Sequence, residues 1–478
     1  MRASIGVLSS ASLAAFSPRV DDVCIVGDDG KTQVTGSVAP GPLGPEVQEV
    51  FEALRSDALP TYLALFERYG DVARLQMGPF ITHFMFHPEH VKHVLVGAQH
   101  KYDKETYGNR RLRSYTGLGL LFSEGTTWQR QRRVTMPSLA TSQHEMFASL
   151  TREAFLEQGR LQRFASPGST EIADVQEWVA RPLFMAMVRG LISRVLTTQE
   201  AGELREALCT VIEQAQQPTV PKVRMDAAVP GDAFSRALSL LNDTILDSIR
   251  RRKSEPPQPD FLGRLIEHAD AEGQPFSEQE LLDQVKTMLF AGHDTGAHAL
   301  AFALHFLSER PELQDHVREE AAALADPGSL LPVTARMPWT EAVVMEALRL
   351  LPPAWAIERA AREDDVIAGY PIPKGSVVLL SPYVTHRHPQ FWDQPQQFRP
   401  ERFLAAEEPR HRYAYFPFGG GPRICVGNNL GLLQLKIALA TLLEHFVLQP
   451  SPALRPDLQQ WVILRFRHGL PLQLVPRQ

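Results

Sequence analysis

The stretch FPFGGGPRICVGNNL, residues 416–430, decides how the rest of this sequence is interpreted. Gly419, Gly420 and Gly421 predict a tight turn, because glycine adopts backbone angles that other residues avoid. Cys425 follows this turn and stands just before an apolar helical pattern that reads GLLQLKIALATLLEHF. The free amide hydrogens and the dipole at a helix N-terminus favour an anion, which for cysteine is the thiolate. The stretch therefore predicts that Cys425 is a metal ligand or a nucleophile.

The residues around Cys425 distinguish between these possibilities. A lone cysteine is more often a small buried apolar residue than a ligand. The spacing Phe418-x-x-Gly421-x-Arg423-x-Cys425-x-Gly427, however, resembles the haem-ligand loop of the cytochrome P450 monooxygenases. Five fixed positions are far more specific than a short glycine motif. The resemblance implies that Cys425 is the thiolate ligand of the haem iron, that Arg423 contacts a haem propionate, and that Phe418 and Gly427 belong to the cofactor-binding loop.

Composition limits the other possibilities. With 44% hydrophobic and 22% charged residues, the chain of 478 residues has the composition of a soluble globular protein. A net charge of −6 gives no support for nucleic-acid binding. The three cysteines are widely separated and form neither a disulfide framework nor a CxxC metal site. This pattern favours a reducing compartment, and we expect a cytoplasmic protein.

The N-terminal stretch MRASIGVLSSASLAAF is interrupted by serines and is shorter than the about 20 residues that a membrane-spanning helix needs. We therefore expect residues 1–40 to form a poorly ordered tail without a transmembrane anchor. Residues 41–478 are expected to form a single domain, since no internal repeat or long linker divides them.

Residues 277–308, which read SEQELLDQVKTMLFAGHDTGAHALAFALHFLS, predict one long helix. Ser277 and Glu280 have the spacing of a capping box at its start. In its middle, Gly292 costs about 1 kcal/mol relative to alanine, and the close approach of another group would explain that residue. Thr295 can bond back to a carbonyl oxygen one turn earlier and bend the helix.

The segment AGHDT, residues 291–295, resembles the oxygen-binding groove of the same family. The resemblance implies that Ala291, Gly292 and Thr295 lie against the haem. Asp294 and Thr295 would be the acid–alcohol pair that relays protons to dioxygen. Gly296 departs from the threonine or serine that the family has at this position. The sequence leaves open whether Gly296 loosens the helix or enlarges the pocket.

Two further elements concern the haem propionates. Trp128 and Arg132 stand four residues apart, on one face of a predicted helix. Alone, this spacing favours a solvated basic face with one buried aromatic residue. It resembles, however, the W-x-x-x-R element whose residues bond the propionates in the family. Arg359, in the stretch AWAIER, is implied by the same resemblance to contact a propionate.

Glu346 and Arg349 stand three residues apart in the helical stretch MPWTEAVVMEALRLLPP. An isolated pair of this kind contributes little to stability. The pair resembles the E-x-x-R element of the family, and Arg402 in the stretch PERF is the implied third partner. These three residues are expected to stabilise the haem side of the fold and to do no chemistry.

The substrate pocket is the least constrained part of the site. Residues 102–121 are expected to form a loop, and in the family the corresponding loop covers the pocket. The resemblance also places residues of the central helix and of the stretch after Pro353 in its wall. The candidates are Leu118, Phe290, Ala291, Thr295, Ala354, Trp355 and Ile357. Because most of them are apolar, we expect a lipophilic substrate such as a terpenoid, a fatty acid or a polyketide.

The resemblance implies a mainly α fold with small β-sheets, in which the haem lies between the long central helix and the cysteine loop with its following helix. The implied function is that of a soluble, bacterial-type monooxygenase that uses haem b, dioxygen and electrons from NAD(P)H. A separate ferredoxin or flavodoxin with its reductase is expected to deliver these electrons, since no segment is left for a fused reductase. The protein is expected to be a monomer.

Two alternatives stay open. A peroxide-driven peroxygenase or a haem-thiolate isomerase would share the fold, although members of that kind tend to lack the acid–alcohol pair. A haem sensor or carrier without catalysis would have little use for a proton relay or a roomy pocket.

Overall fold

The computed structural model describes residues 37–165, 170–172, 174–216, 232–256, 258–268, 273–324, 328–404 and 410–477. Of the predicted tail, residues 1–36 lie outside the described residues. Helices dominate the described part of the chain, and its strands form four small sheets, which confirms the predicted mainly α fold. None of the described helices is long and apolar enough to cross a membrane.

The helices and strands are labelled in chain order. The α-helices are α1 Glu46–Ser56, α2 Ala58–Tyr69, α3 Pro88–Lys92, α4 Tyr107–Thr116, α5 Gly125–Thr135, α6 His144–Ala165, α7 Val175–Ile192, α8 Thr198–Gln216, α9 Asp232–Ser254, α10 Phe261–Glu267, α11 Glu278–Ser308, α12 Pro311–Ala321, α13 Leu330–Thr334, α14 Pro338–Leu350, α15 Pro382–Thr385 and α16 Asn428–His445. The strands are β1 Val72–Met77, β2 Phe80–Met85, β3 Tyr102–Asp103, β4 Thr170–Ile172, β5 Ile357–Ala361, β6 Asp365–Ile367, β7 Tyr370–Ile372, β8 Val377–Leu380, β9 Phe446–Pro450, β10 Leu458–Gln460, β11 Leu464–Phe466 and β12 Leu472–Pro476.

The long helix α11 is the centre of the core. It begins one residue after Ser277, and the predicted capping box is present: the Glu280 amide donates to the Ser277 hydroxyl at 3.2 Å, and the Ser277 amide donates to the Glu280 carboxylate at 2.8 Å. Helices α7, α14 and α16 pack against α11. Because α11 is surrounded in this way, it is apolar on nearly all faces, as expected of a buried helix.

Residues 47–68 have apolar residues at helical spacing, but they form two helices, α1 and α2, and not one. Asp57 lies between them in an extended conformation, with φ of −152°. Pro60 stands in the first turn of α2, where its missing amide hydrogen does no harm. In an uninterrupted helix the same proline would remove a backbone hydrogen bond, which explains the break before it.

The prediction of a loop over residues 102–121 is wrong, since ten of these residues form α4. Thr106 is the N-cap of α4, and its hydroxyl accepts a hydrogen bond from the Asn109 amide at 3.3 Å. Gly117 ends the helix with φ of +83°. A threonine before the segment and a glycine after it were the signals of this helix.

The largest sheet has the strand order β1-β2-β8-β5-β3. Strand β8 runs parallel to β2 and antiparallel to β5, with Ile357 opposite Leu380 and Arg359 opposite Val378. Strand β5 follows α14 in the chain. The sheet therefore carries the residues after Pro353 toward the cysteine loop, where Ile357 lies close to Gly419.

Candidate active site

The cysteine loop, residues 416–427, is held in a fixed shape by its backbone. The amide of Cys425 donates a hydrogen bond to the carbonyl oxygen of Phe418 at 3.0 Å. Gly419 and Gly421 have φ of +71° and +65°, which confirms the predicted turn. A Cβ on Gly421 would collide with the carbonyl oxygen of Leu95, so the close packing of the loop also requires glycine.

The thiol of Cys425 lies just before α16, whose N-cap is Gly427. Burial raises the pKa of this thiol, and the hydrogen bond from the Gly427 backbone and the charges of Arg132 and Lys104 offset only part of the effect. In the protein alone, burial therefore outweighs the effect of the helix N-terminus on this pKa, because desolvation disfavours the charged form. A bound metal cation reverses the preference, since a coordinating thiol is deprotonated.

Cys425 and Arg359 each face a space inside the protein. Both side chains have accessible surface. Burial is nevertheless the main cause of the raised pKa of Cys425 and of the lowered pKa of Arg359, which is about 10. A side chain that is enclosed by protein and still accessible faces an internal space. An enclosed thiol and an enclosed guanidinium fit a haem, because its iron needs a thiolate ligand and its propionates need cations.

Trp128 lies between two of the predicted propionate residues. The guanidinium carbon of Arg423 is 4.0 Å from the centre of the Trp128 ring system, and that of Arg132 is 5.7 Å from it. Both distances are those of cation–π contacts. Arg423 also donates to the carbonyl oxygen of Ser123 at 2.8 Å and pairs with the carboxylate of Glu124. The structure thus brings Trp128, Arg132 and Arg423 together.

Lys104 belongs to the same cluster, and the sequence analysis missed it. Burial lowers the pKa of its amine well below the usual value, and the charges of Arg359, Arg423 and Arg132 lower it further. The amine donates to the carbonyl oxygen of Leu121 at 2.7 Å. No spacing rule could identify Lys104, because its neighbours come from three other parts of the chain.

The charge of this cluster fits two propionates. Its four basic groups, three guanidinium groups and the Lys104 amine, act on one another and are opposed by the carboxylates of Glu124 and Asp103. The cluster therefore has a surplus of positive charge in a partly buried place. A buried charge without a partner is costly. The two carboxylates of a haem would neutralise this surplus.

Glu346, Arg349 and Arg402 form the predicted buried group. Arg349 donates to both carboxylate oxygens of Glu346, at 2.7 and 2.8 Å, and Arg402 donates to the same carboxylate at 3.3 Å. All three side chains are buried. Because removing one partner of a buried ion pair is strongly destabilising, this group fixes the end of α14 to the segment around residue 400.

His386, which the sequence analysis missed, connects that group to the cysteine loop. Its Nδ1 faces the carbonyl oxygen of Arg349 at 3.3 Å, and its Nε2 accepts a hydrogen bond from the amide of Phe416 at 2.9 Å. Burial, helped by the charge of Arg349, lowers the pKa of His386 to about 3, so the imidazole is neutral. The neutral ring is required, because Nε2 must keep its lone pair to accept the Phe416 amide.

The middle of α11 carries the predicted acid–alcohol pair. The hydroxyl of Thr295 donates to the carbonyl oxygen of Ala291 at 2.7 Å, one turn earlier. Burial would raise the pKa of Asp294, but His293, His298 and Arg205 outweigh it and lower this pKa to about 2. Asp294 is therefore ionised at neutral pH. His293 Nδ1 lies 2.8 Å from the Asp294 carboxylate but forms no hydrogen bond of good geometry with it.

The two glycines of this segment face α7. A Cβ on Gly292 would lie 3.0 Å from the sulfur of Met187, and a Cβ on Gly296 would lie 3.9 Å from Leu183. The space at Gly292 is thus used by a neighbouring helix. The space at Gly296 is larger, and it adjoins α7.

The pocket candidates divide into three groups. Ile357 lies next to the cysteine loop, since its Cδ1 is 3.8 Å from the Cβ position of Gly419. Trp355 packs against Tyr62 of α2, with 5.4 Å between ring centres, and donates to the carbonyl oxygen of Trp461 at 2.8 Å. The remaining candidates lie in or near α11 or after α14. Phe290, Ala291 and Thr295 belong to α11, and of these Phe290 is buried. Leu118 is 51% exposed, and Ala354, which follows α14, is half-buried.

Comparison with known proteins identifies the family. The family model described as Cytochrome P450 matches residues 39–468, and the chain belongs to this family. It is therefore an oxidoreductase of the monooxygenase class, with a haem cofactor, dioxygen as co-substrate and electrons that come from NAD(P)H. The family also implies a redox partner and a lipophilic substrate.

Similar proteins occur in bacteria and eukaryotes. Cyclooctatin synthase of Streptomyces melanosporofaciens is 30% identical over 428 residues, which cover 87% of this chain and 90% of that protein. LUTEIN DEFICIENT 5 of Arabidopsis thaliana, a chloroplastic protein, is 28% identical over 475 residues, with 93% and 78% covered. Putative cytochrome P450 132 of Mycobacterium tuberculosis is 27% identical over 431 residues, with 84% and 90% covered.

Proposed function

We propose that this protein hydroxylates a terpenoid, a fatty acid or a polyketide, with electrons from a separate ferredoxin or flavodoxin and its reductase. The observation that carries the proposal is the Asp294–Thr295 pair, a carboxylate and a hydroxyl on consecutive residues of the central helix. An ionised carboxylate beside a hydroxyl can accept a proton from water and pass it on. Peroxide-driven enzymes and isomerases have no need for such a supply of protons.

The haem, when bound, supplies the activation of dioxygen. In our proposal Cys425 ligates its iron, and the cation cluster with Trp128 holds its propionates. The side of α11 that carries Ala291 and Thr295 would contact the haem, and Phe418 and Gly427 would shape the loop that holds it. The residues proposed to bind the cofactor are Lys104, Trp128, Arg132, Ala291, Gly292, Arg359, Phe418, Arg423, Cys425 and Gly427.

The chain's own residues carry the proton. Asp294 takes up a proton at its carboxylate and passes it towards the Thr295 hydroxyl. This hydroxyl donates to the Ala291 carbonyl oxygen, which leaves its lone pairs to accept a hydrogen bond. Rotation of the hydroxyl then turns its hydrogen towards the reacting side. The glutamate–arginine group of Glu346, Arg349 and Arg402 supports the fold and takes no part in this transfer.

The apolar character of the pocket supports a lipophilic substrate. Phe290 of α11 is buried in a hydrophobic cluster that also contains residues of α7, and Ile357 lies against the cysteine loop. Leu118 is tied to α11 through its amide, which donates to Asp283 at 2.9 Å. We include Leu118, Phe290, Ala291, Thr295, Ala354, Trp355 and Ile357 in the proposed pocket. A single domain over residues 41–478, a monomeric state and a cytoplasmic, bacterial-type enzyme are parts of the same proposal.

A panel of lipophilic compounds tests the proposal. Binding of a substrate should shift the haem spin state, and NAD(P)H with a surrogate ferredoxin and reductase should convert that compound to a hydroxylated product. The same compound is incubated with hydrogen peroxide in place of the reductase. Product from peroxide alone, or a rearranged product without reductant, would contradict the proposed hydroxylation with dioxygen and a reductase. A spin shift without any product would favour the sensor instead.

A further inference from the structure

A second, polar cavity lies beside Asp294. It has a volume of about 210 Å³, is open to solvent on one side, and is lined by residues of α7, α8, α11 and the segment that begins with β11. Helix α11 contributes Asp294, Ala297 and His298 to its wall. Asp294 and His298 are one helical turn apart, which places their Cβ atoms about 5–6 Å from each other. The cavity therefore connects the proposed acid with a histidine that the family motif does not include.

The proton of His298 can be assigned from its neighbours. The Gln176 side chain is fixed by the backbone of Phe466: its Oε1 accepts from the Phe466 amide at 2.8 Å, and its Nε2 donates to the Phe466 carbonyl oxygen at 3.1 Å. His298 Nδ1 lies 3.1 Å from the same Oε1. An amide oxygen can only accept, so Nδ1 carries the proton. Nε2 is then the nitrogen with the lone pair, and it is the one left for the cavity.

The cavity thus has two hydrogen-bond acceptors one turn apart. Burial lowers the pKa of His298 to about 4, although Asp294 opposes this shift, so the imidazole is neutral at pH 7. Asp294 is ionised at the same pH. Two acceptors cannot bond to each other, but one donor in the cavity can bridge them. A water molecule fits, because the cavity is polar and larger than the about 30 Å³ that one water occupies.

Among the described residues, no hydrogen bond joins the arginines of the cavity to Asp294 or His298. Arg205 pairs with Glu177 and lies 3.8 Å from the sulfur of Cys209. Arg465 donates to Gln459 at 3.0 Å. Both guanidinium groups therefore have other partners. The titratable and charged groups that surround His298 and the cavity are Asp174, Glu177, Arg205, Cys209, Glu213, His293, Asp294, Arg465 and Arg467.

We propose that His298 positions a water molecule that delivers protons from the cavity to Asp294. The water donates one hydrogen to His298 Nε2 and the other to the Asp294 carboxylate. When a proton from the solvent at the open side of the cavity joins this water, the hydrogen shared with Asp294 passes to the carboxylate, which becomes a carboxylic acid, and the water is neutral again. The net transfer is one proton from solvent to Asp294, no electron moves, and His298 stays neutral throughout. The inference rests on the proposed function, because it assigns a proton source to the Asp294–Thr295 relay.

Two substitutions of His298 test whether this residue positions the water molecule or only supports the fold. His298→Asn keeps a donor near the Nδ1 position for Gln176 and removes the acceptor at Nε2. His298→Gln places an acceptor near the Nε2 position and loses the bond to Gln176. We expect product per NAD(P)H oxidised to fall about fivefold to tenfold in His298→Asn, the factor that one hydrogen bond contributes, with more peroxide and a larger solvent isotope effect. His298→Gln should recover part of the loss.

His305→Asn is the matched control, because His305 lies on the same helix, is also buried, and has a pKa of about 4. It does not line the cavity, and its substitution should leave coupling unchanged. An equal loss in His298→Asn and His298→Gln, or wild-type coupling in His298→Asn, would overturn the inference. If Thr295→Ala and Asp294→Asn also couple as the wild type does, the proposed relay itself is wrong.

A spectroscopic measurement needs no turnover. Histidine labelled with ¹⁵N, in the diamagnetic ferrous carbon monoxide form of the full protein, should show His298 as the Nδ1–H tautomer from pH 6 to 8. The signal is assigned by its absence in His298→Asn. An Nε2–H tautomer, or protonation of the ring within this range, would contradict the inferred acceptor.

Discussion

Two glycines of α11 give a sharp test of how the central helix is packed. Alanine is about 1 kcal/mol more favourable than glycine inside a helix. At Gly296 the added Cβ meets Leu183 at 3.9 Å, an ordinary contact, so Gly296→Ala should gain this full amount. At Gly292 the Cβ would lie 3.0 Å from the Met187 sulfur. Displacing that side chain from its rotamer costs about 0.5–1.5 kcal/mol, so Gly292→Ala should gain nothing.

The assay is calorimetric unfolding of the haem-loaded proteins at one scan rate. For a domain of this size, a gain of about 1 kcal/mol raises Tm by about 1 °C. We expect that rise in Gly296→Ala and a change of about zero or a fall in Gly292→Ala. Equal rises in the two variants would refute the packing argument, because the added Cβ meets α7 at 3.0 Å at Gly292 and at 3.9 Å at Gly296.

The Gly296→Ala variant also decides between the two explanations of Gly296, a looser helix or a larger pocket. The open space beside Gly296 adjoins Leu183 of α7. If Gly296 serves only to loosen the helix, Gly296→Ala should bind the same compounds as the wild type, measured by spin-state titration. Loss of the larger compounds from the binding panel would show that the space belongs to the substrate pocket.

Three further predictions concern the cofactor and the relay. Cys425→His should abolish the red-shifted Soret band of the reduced carbon monoxide form, and an unchanged band would exclude Cys425 as the ligand. Arg423→Ala and Lys104→Met should each weaken haem binding by about tenfold or more, since a hydrogen bond to a charged group contributes about 1.5–3 kcal/mol. Haem transfer to an apo acceptor protein measures this, and wild-type transfer kinetics in both variants would count against the cluster. Thr295→Ala should divert NAD(P)H consumption to peroxide, whereas Asp294→Asn should slow turnover; wild-type coupling in Thr295→Ala would remove the hydroxyl from the relay.

The elements that the sequence predicts well are those with local physical causes. The capping box of Ser277 and Glu280 fixes the start of α11, and apolar residues at helical spacing extend the helix to Ser308. The turn of the glycine triplet follows from backbone freedom at Gly419 and Gly421. Each of these signals acts within a few residues, so no knowledge of the tertiary fold is needed.

Other features depend on segments that meet only in the folded chain. Lys104, His386 and His298 obtain their partners from residues about 20 to 300 positions away. The direction of the Cys425 pKa shift likewise depends on burial, which spacing cannot show. The break at Asp57 is a different case, since Pro60 was a local signal for it.

The bond from Phe416 to His386 makes the cysteine loop part of the core, with a consequence for how the protein acquires its cofactor. His386 anchors the loop and is not among the proposed haem-binding residues, so folding itself orders the loop and little entropy should be lost when haem binds. The capture of haem should therefore be limited by entry into the cavity.

The contribution of His386 to the stability of the fold depends on pH. The pKa of His386 is about 3 in the folded protein and has an ordinary value of 6.5, so His386 stabilises the fold fully above pH 6.5. That contribution is lost progressively as the pH falls from 6.5 towards 3, because the unfolded chain takes up the proton first.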